Sequence, residues 1–138
     1  SFVGLIPPFL YYARELYNFL MLHILKYNGL AIAENVEFAR TVVSQTLGLM
    51  FRRHIPPGYA MIFVLKKSSS VNVHMLFMRF PIDVIFLNNE KKIAGLSRLN
   101  PWTGHKAMEN VKYVIETHAG SVERYNLSIG GQMEFEDI

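Results

Sequence analysis

Hydrophobic residues near the start of the chain recur with the period of an amphipathic helix. Over residues 8–27, polar side chains such as Arg14 and Lys26 fall in one arc, whereas the opposite half of the helical projection is apolar. The Asn28-Gly29 pair that follows is typical of the left-handed residues just after a helix end. We therefore predict an N-terminal amphipathic helix over residues 8–27.

This segment is too polar to be predicted as a membrane span. A spanning helix needs about 20 mostly apolar residues. The polar and charged residues within 9–27 are Arg14, Glu15, Asn18, His23 and Lys26. The segment also does not have the basic start and small-residue cleavage site of a signal peptide. Its apolar face has three alternative roles: docking on the domain that follows, lying in a membrane interface, or pairing with a second copy as a homodimer.

From residue 30 onward the pattern changes to the short apolar runs that are typical of strands. They cover residues 36–38, 59–65, 71–78, 82–87, 92–96, 112–117 and 132–136. Short helices are predicted at residues 41–47 and 122–125, and a polar turn at residues 66–70. The connections leave no room for crossover helices, so the sheet is predicted to be mainly antiparallel.

These elements predict a helical extension over residues 1–29 and one α+β domain over residues 30–138. Long exposed sheet edges promote aggregation. We therefore expect the mainly antiparallel sheet to curl into a partial barrel, accompanied by one or two short helices.

Composition agrees with one folded domain and shows an uneven distribution of charge. The chain has 138 residues, 51% hydrophobic and 18% charged, which excludes a disordered polypeptide. The absence of cysteine excludes disulfides, thiolate zinc sites and a cysteine nucleophile. The net charge of +3 comprises −1 over residues 1–37, +8 over 38–108 and −4 over 109–138. The middle of the chain is therefore basic and its end acidic.

Several motifs occur in an order that resembles a known family. They are GLMFR at 48–52, AMIFV at 60–64, HMLFMRFPIDVIFL at 74–87, PW at 101–102 and VIETHAG at 114–120. Over residues 35–136 this series resembles the domain-of-unknown-function 192 family of archaea and bacteria. The resemblance implies a single α+β domain, often preceded by a signal or membrane-attached segment, with no established activity. Two positions depart from the family: Gln132 follows Gly131 where Asp is common, and His74 stands where bacterial members often have Trp.

Asp83 is the candidate site residue with the clearest signal, because it lies within an apolar strand. Alternation places Ile82, Val84 and Phe86 on one face and Asp83 with other apolar residues on the opposite face. A carboxylate there needs a partner, and Arg79 is the candidate. One interpretation is a structural ion pair or a carboxylate that caps turn amides. The other is a pocket in which Arg79 binds an anionic group that Asp83 orients.

His74 and Trp102 are the other two candidate ligand-binding residues. His74 lies on an apolar strand and is interpreted as a packed residue or as a general base. Trp102, the only tryptophan, follows Pro101 in a loop and either caps the end of the sheet or offers a flat binding surface. The five histidines have no metal-ligand spacing, and no nucleotide or hydrolase motif occurs, so neither a metal nor a cofactor is predicted.

Three basic pairs contribute to the positive charge of the middle of the chain. They are Arg52-Arg53, Lys66-Lys67 and Lys91-Lys92. Two of the pairs lie at predicted turns, where lysine commonly solvates a sheet edge. Nucleic-acid binding would also require exposed aromatics among the charges, and apart from Trp102 the aromatics lie in apolar runs. The sequence therefore argues against nucleic acid as a partner.

The leading functional hypothesis is a non-enzymatic binding module. Its site would contain Arg79, Asp83, Trp102 and His74, and would take a small polar or anionic ligand or a protein partner. The first alternative is an enzyme that uses Asp83 or His74 as a general base in the same pocket. The second is a membrane-surface or assembly protein that uses residues 8–27 and the basic residues. Both a cytoplasmic and a membrane-associated location fit these hypotheses.

Overall fold

Eight strands and one short helix make up most of the part of the chain that the structure describes. The computed structural model describes residues 9, 12, 13, 16, 23–41, 45 and 48–137. The elements are β1 Leu25–Tyr27, β2 Leu30–Ala33, β3 Asn35–Ala39, β4 Tyr59–His74, β5 Ile82–Leu87, β6 Ile93–Leu99, β7 His105–His118, α1 Ser121–Arg124 and β8 Met133–Glu134.

The central element is a five-stranded sheet with the order β3-β4-β7-β5-β6. Only β3 and β4 run parallel; the other neighbouring strands are antiparallel. The prediction of a mainly antiparallel sheet is therefore confirmed. The predicted turn at residues 66–70 is wrong, because β4 continues through it to His74 and pairs with the long strand β7, with register shifts around Ser69. The polar side chains of residues 66–70 are mostly exposed because β4 and β7 extend beyond the core here as a two-stranded ribbon, and not because the strand is broken.

Both faces of the five-stranded sheet are covered, which is why β5 is buried along its whole length. Its side chains alternate as predicted between two hydrophobic cores. Ile85 and Leu87 belong to the first core, whereas Ile82, Val84 and Phe86 belong to the second. Asp83 shares the first face, and the second core extends under residues 48–55 and 75–78. The sheet thereby separates two packed environments.

A second sheet, with three strands in the order β2-β1-β8, covers the first face. It overturns part of the predicted N-terminal helix, because Leu25–Tyr27 form a strand. Asn28 and Gly29 have φ angles of 48° and 85° and connect β1 to β2. Two consecutive left-handed residues are typical of a tight hairpin turn, so the pair closes a hairpin rather than ending a helix.

The expected partial barrel is also wrong, because neither sheet is closed. The five-stranded sheet ends at β3 and β6. The small sheet supplies the apolar cover for its first face, including Leu25, Ile32 and Met133. Burial on that side is thus achieved by packing one sheet on another, without the strands curling round to meet.

Most of the remainder of the predicted 8–27 helix lies outside the described residues. Phe9, Tyr12 and Leu16, which belong to the apolar half of this predicted helix, are exposed. Most of the helix predicted over residues 41–47 also lies outside the described part. No helix among the described residues is long and apolar enough to cross a membrane.

Candidate functional site

A cavity of about 220 Å³ lies on the second face of the five-stranded sheet. Strands β4 and β7 form its floor, and residues 48–50 and Met78 belong to the loops that border it. We call it the Glu116 cavity. Its described lining consists of Gln45, Gly48, Leu49, Met50, Phe63, Leu65, Val71, Asn72, Val73, His74, Met78, Val114 and Glu116. Most of these side chains are apolar, which is typical of small-molecule sites.

Glu116 is the one carboxylic acid in this lining. It lies in β7 between Met61 of β4 and Val84 of β5, on the face opposite Asp83. The residue is 7% exposed, and its carboxyl group makes no hydrogen bond or ion pair with the described residues. Burial raises the pKa of Glu116 to about 7. A proton therefore neutralises this carboxyl group more readily than a solvated one.

The two oxygens of Glu116 keep access to the cavity. Among the described residues, no fully buried side-chain nitrogen or oxygen is without a hydrogen-bond partner. Since Glu116 has no such partner, its oxygens are in contact with the cavity space. Gln45 is held differently: its Nε2 donates to the carbonyl oxygens of Ala39 at 3.2 Å and Val64 at 3.0 Å. Among the polar side chains of the described lining, Glu116 is thus the buried one without a partner, whereas Asn72 and His74 are exposed.

Asp83 is fully buried and has a complete set of partners. Arg98 donates through Nε to Oδ1 at 2.8 Å and through Nη2 to Oδ2 at 3.2 Å. The backbone amides of Gly120 and Val122 donate to Oδ2 at 3.1 and 2.9 Å. These bonds connect β5 and β6 to the start of α1. The expectation of Arg79 as the partner is wrong; the interpretation of Asp83 as an ion-paired carboxylate that caps turn amides is confirmed.

Arg98 is the partner because of strand register. β5 pairs with β6 so that Arg98 lies directly opposite Asp83. Cross-strand neighbours have Cβ atoms about 5 Å apart, whereas Arg79 precedes the strand and is exposed. The hydrogen bonds that Arg98 donates to the carboxylates of Asp83 and Glu123 raise the pKa of Arg98. With its oxygens already engaged, Asp83 is a poor candidate for the general base of an enzyme.

The four site residues expected from the sequence do not line one described cavity. His74 lines the Glu116 cavity, at the end of β4. Asp83 lies on the other face of the sheet, and Arg79 and Trp102 lie in two loops. A ligand-binding role for these residues as a group stays a prediction.

Trp102 belongs to an exposed cluster of aromatic side chains. The rings of Phe51 and Phe77 stack with centroids 5.0 Å apart, and Trp102 meets Phe77 edge to face at 5.1 Å. Met50 and Met78, which line the Glu116 cavity, precede Phe51 and follow Phe77 in the chain. The cluster therefore forms next to the border of the cavity.

A larger cleft on another side of the molecule is lined in part by polar groups that are already engaged. Its volume is about 510 Å³, and residues 31–34, 57–59 and 117–121 line it. Thr117 Oγ1 donates to the carbonyl of Tyr59 at 2.5 Å, and Ser121 Oγ donates to the carbonyl of His118 at 2.7 Å. The His118 ring nitrogen lies 2.7 Å from the carbonyl of Pro56. The two buried polar side chains of this cleft, Thr117 and Ser121, are therefore engaged, whereas the buried carboxyl group of Glu116 is not.

Two of the three basic pairs have carboxylate partners among the described residues. Arg52 binds Glu37 at 3.0 Å, which lowers the pKa of Glu37. Lys91 binds Asp137 at 3.2 Å and Lys92 lies 3.5 Å from Glu90. Within the described part of the chain, no group of three or more potential ligands could hold a metal ion.

Sequence reasoning did not identify Glu116, although its signal resembled that of Asp83. Both carboxylates interrupt apolar strands, and Glu116 follows Tyr113, Val114 and Ile115 directly. Strand alternation could have placed it beside Val114 on the second face. The missing information was that residues 48–50, far away in the chain, leave a cavity above it.

Comparison with known proteins shows extensive similarity to proteins of unknown function. The DUF192 family model, described as "Uncharacterized ACR", matches residues 23–135. A UPF0127 protein of Pyrococcus furiosus is 39% identical over 117 residues, covering 83% of this chain and 97% of the relative. A UPF0127 protein of Thermococcus sibiricus is 33% identical over 113 residues, covering 80% of this chain and 72% of the relative.

Two crystal structures resemble this chain. One, from Sinorhizobium meliloti and described as a candidate transcription regulator, has a TM-score of 0.66 and 29% identity, covering 72% of this chain and 79% of its own. The other, a protein of unknown function from Novosphingobium aromaticivorans, has a TM-score of 0.74 and 23% identity, covering 81% of this chain and 84% of its own. The second similarity shows the fold alone.

Proposed function

Because this chain belongs to the DUF192 family, whose function is unknown, we propose a function from the cavity itself: the protein is a non-enzymatic binding module. Its ligand is a small molecule with an apolar body and a protonated amine, which occupies the Glu116 cavity. The family membership confirms the resemblance found in the sequence. The binding role retains the leading functional hypothesis but gives it a different site.

The buried, unpartnered carboxyl of Glu116 is the observation that carries this proposal. Desolvation of a carboxylate is costly unless a hydrogen-bond donor or a cation compensates for it. No described residue supplies that compensation, although Glu116 is 7% exposed. An ammonium group in the cavity would supply both the charge and the hydrogen bonds.

The rest of the lining supports the class of ligand. Leu49, Phe63 and Val114 present apolar surface next to the carboxyl group, suited to a hydrocarbon chain or ring. No lysine or arginine occurs in the described lining, so an anionic ligand would have no ion pair there. The cavity therefore favours an amine over the anionic ligand expected from the sequence.

Binding is favoured over catalysis because the described lining holds no hydroxyl, thiol or amine nucleophile. Ser, Thr, Cys and Lys are all absent from it. A carboxyl group with a pKa of about 7 can hold or release a proton near neutral pH. Without a hydroxyl, thiol or amine nucleophile beside it, this carboxyl group is better suited to ionic recognition than to covalent catalysis.

Isothermal titration with straight-chain primary amines, and with alcohols and carboxylates of the same chain lengths, tests the proposal. The amines are expected to bind and the carboxylates are not. Amine affinity should rise with pH through about 7, because the Glu116 carboxyl must ionise to pair with the cation. Glu116→Gln should weaken amine binding by at least about tenfold, equivalent to about 1.4 kcal/mol.

Glu109→Gln is the matched control, because Glu109 lies on the same strand but is exposed. It should leave amine affinity unchanged. Equal binding of amines and carboxylates, or equal losses in the two variants, would contradict the proposal.

A further inference from the structure

Four large apolar side chains project to solvent from two neighbouring loops and the turn after β6. They are Phe51, Leu76, Phe77 and Trp102, exposed by 56%, 48%, 44% and 53%. We call this set the aromatic end. Contiguous exposed apolar surface of this kind commonly marks a site of interaction.

The backbone of the aromatic end is held in a conformation that bulky residues rarely adopt. Phe51, Phe77 and Trp102 have φ angles of 67°, 61° and 69°. The amide of Phe51 donates to the carbonyl of Phe77 at 3.0 Å, and the amide of Trp102 donates to the carbonyl of Met75 at 2.8 Å. Glycine or asparagine would fit these positions with less strain. The backbone conformation at Phe51, Phe77 and Trp102 therefore does not account for the presence of aromatic residues at these positions.

The loops that carry the aromatic end are basic. Residues 48–58, 75–81 and 100–104 contain no Asp or Glu. Arg52 turns towards Glu37 and Tyr59. Arg53 and Arg79, each two residues beyond a phenylalanine of the cluster, are exposed and make no ion pair within the described part of the chain. The apolar surface thus has cationic groups next to it and no anionic ones on its own loops.

We propose that the aromatic end binds the surface of an anionic phospholipid bilayer. Its apolar side chains would enter the boundary between headgroups and acyl chains, while Arg53 and Arg79 contact the phosphates. This surface differs from residues 8–27, for which contact with a membrane was one of three alternatives that the sequence left open.

The details of the cluster favour lipid over single-stranded nucleic acid. Proteins that bind single-stranded nucleic acid stack the bases on the free faces of aromatic side chains. Phe51 already stacks on Phe77, and Trp102 packs its ring against the same side chain. Leu76 has no aromatic face, so it can contribute to hydrocarbon contact but not to stacking. The basic residues suit either partner, whereas the apolar ones suit a bilayer better.

The fluorescence of Trp102 gives a direct test, because it is the only tryptophan in the chain. The full chain is mixed with vesicles of phosphatidylcholine alone or with phosphatidylglycerol added. With the anionic vesicles we expect the emission to shift to shorter wavelength, to be quenched by lipids brominated in the acyl chain, and to revert at high salt. Binding through another segment would leave Trp102 in water and its emission unchanged.

Two sets of variants test the apolar side chains and the arginines of this surface separately. The double variant Phe51→Asn with Phe77→Asn should lose at least about tenfold in vesicle affinity. Its melting temperature should not fall, because asparagine tolerates the left-handed backbone. Leu30→Ser with Ile129→Ser is the matched apolar control, since both residues are exposed elsewhere. Arg53→Glu with Arg79→Glu should also weaken binding, whereas Lys66→Glu with Lys67→Glu, with the same change in charge, should not.

Three results would overturn the proposal. The first is unchanged Trp102 emission with anionic vesicles. The second is an equal loss of vesicle binding in the aromatic variant and its control. The third is quenching of Trp102 by oligothymidylate, with no effect of brominated lipid, which would assign the surface to nucleic acid.

Discussion

Glu116 and Asp83 show how differently two buried carboxyl groups can be used. Asp83 has four hydrogen bonds from Arg98 and two backbone amides. The carboxyl group of Glu116 accepts no hydrogen bond from the described residues, and burial raises its pKa to about 7. A shift from 4.5 to about 7 corresponds to roughly 3 kcal/mol. A group that weakens the fold is a candidate for function rather than for stability.

Replacing Glu116 by glutamine should stabilise the protein at high pH. The native state of the natural protein holds the Glu116 proton up to about pH 7, whereas the unfolded chain loses it at about 4.5. Native stability therefore falls as pH rises between these values and then levels off. Glu116→Gln cannot ionise, so it should match the natural protein near about pH 4 and exceed it by roughly 3 kcal/mol near about pH 8. Urea unfolding at a series of pH values measures this difference.

Other carboxyl groups act in a different pH range. Hydrogen bonding to Arg52 lowers the pKa of Glu37. At Asp137, burial raises the pKa of the carboxyl group, but hydrogen bonds from Tyr113 and Lys91 outweigh burial and lower the pKa overall. Their contributions are lost as pH falls below about 4.5, equally in both proteins, and so cancel in the comparison. A variant that is less stable than the natural protein at about pH 8 would contradict the account of Glu116.

At the scale of elements, Asp83 joins β5 to β6 and to the start of α1. Its removal leaves two backbone amides without their acceptor, and leaves the Arg98 guanidinium with Glu123 as its remaining carboxylate partner. Asp83→Ala should therefore destabilise the fold by about 3 kcal/mol, measured by urea unfolding. Combined with Arg98→Ala, the effects should be clearly non-additive. Combined with Arg79→Ala, they should add to within about 0.5 kcal/mol; the reverse pattern would restore Arg79 as the partner.

Element types were predictable from the sequence where one local signal was decisive. The alternation in β5 predicted which side chains share a face, and the structure confirms it. The Asn28-Gly29 pair was ambiguous, because left-handed residues both end helices and close hairpins. Pairing of β1 with β8 settles the choice, and β8 lies more than 100 residues further along the chain. No local pattern contains that information.

The same limit applies to the site. The apolar surroundings of Asp83 predicted a compensated carboxylate, but its partners came from β6 and the start of α1. Glu116 needed knowledge of the loop that leaves space above β7. Sequence patterns thus identified which strands are buried, whereas contacts between distant segments decided which buried polar group is unsatisfied.

At the scale of the whole molecule, the acidic end of the chain is held against the basic middle. Asp137 binds Lys91 at 3.2 Å and accepts a hydrogen bond from Tyr113 at 2.8 Å. Just before it, Phe135 packs edge to face against Tyr113 with centroids 5.1 Å apart. The opposite charges of the two regions therefore help to close the first core.

Truncation of Phe135 should show how much this closure contributes. Phe135 is buried in the first core, and Phe135→Ala should cost about 3 kcal/mol in the free energy of unfolding. The same substitution at Phe51, which is exposed, should cost less than about 1 kcal/mol. Thermal unfolding of both variants checks the comparison, and equal costs would mean that the end of the chain does not secure the core.

The most direct test of the Glu116 cavity is methyl NMR of the methionines during titration with a primary alkylamine. Met50 and Met78 line the cavity, whereas Met133 lies in the first core on the other side of the sheet. We predict that the Met50 and Met78 methyl signals shift and saturate while Met133 stays unchanged, and that Glu116→Gln requires an amine concentration at least about tenfold higher for the same shifts. Shifts confined to other methionines, or identical shifts in the variant at the same amine concentration, would contradict the claim that this cavity binds an amine through Glu116.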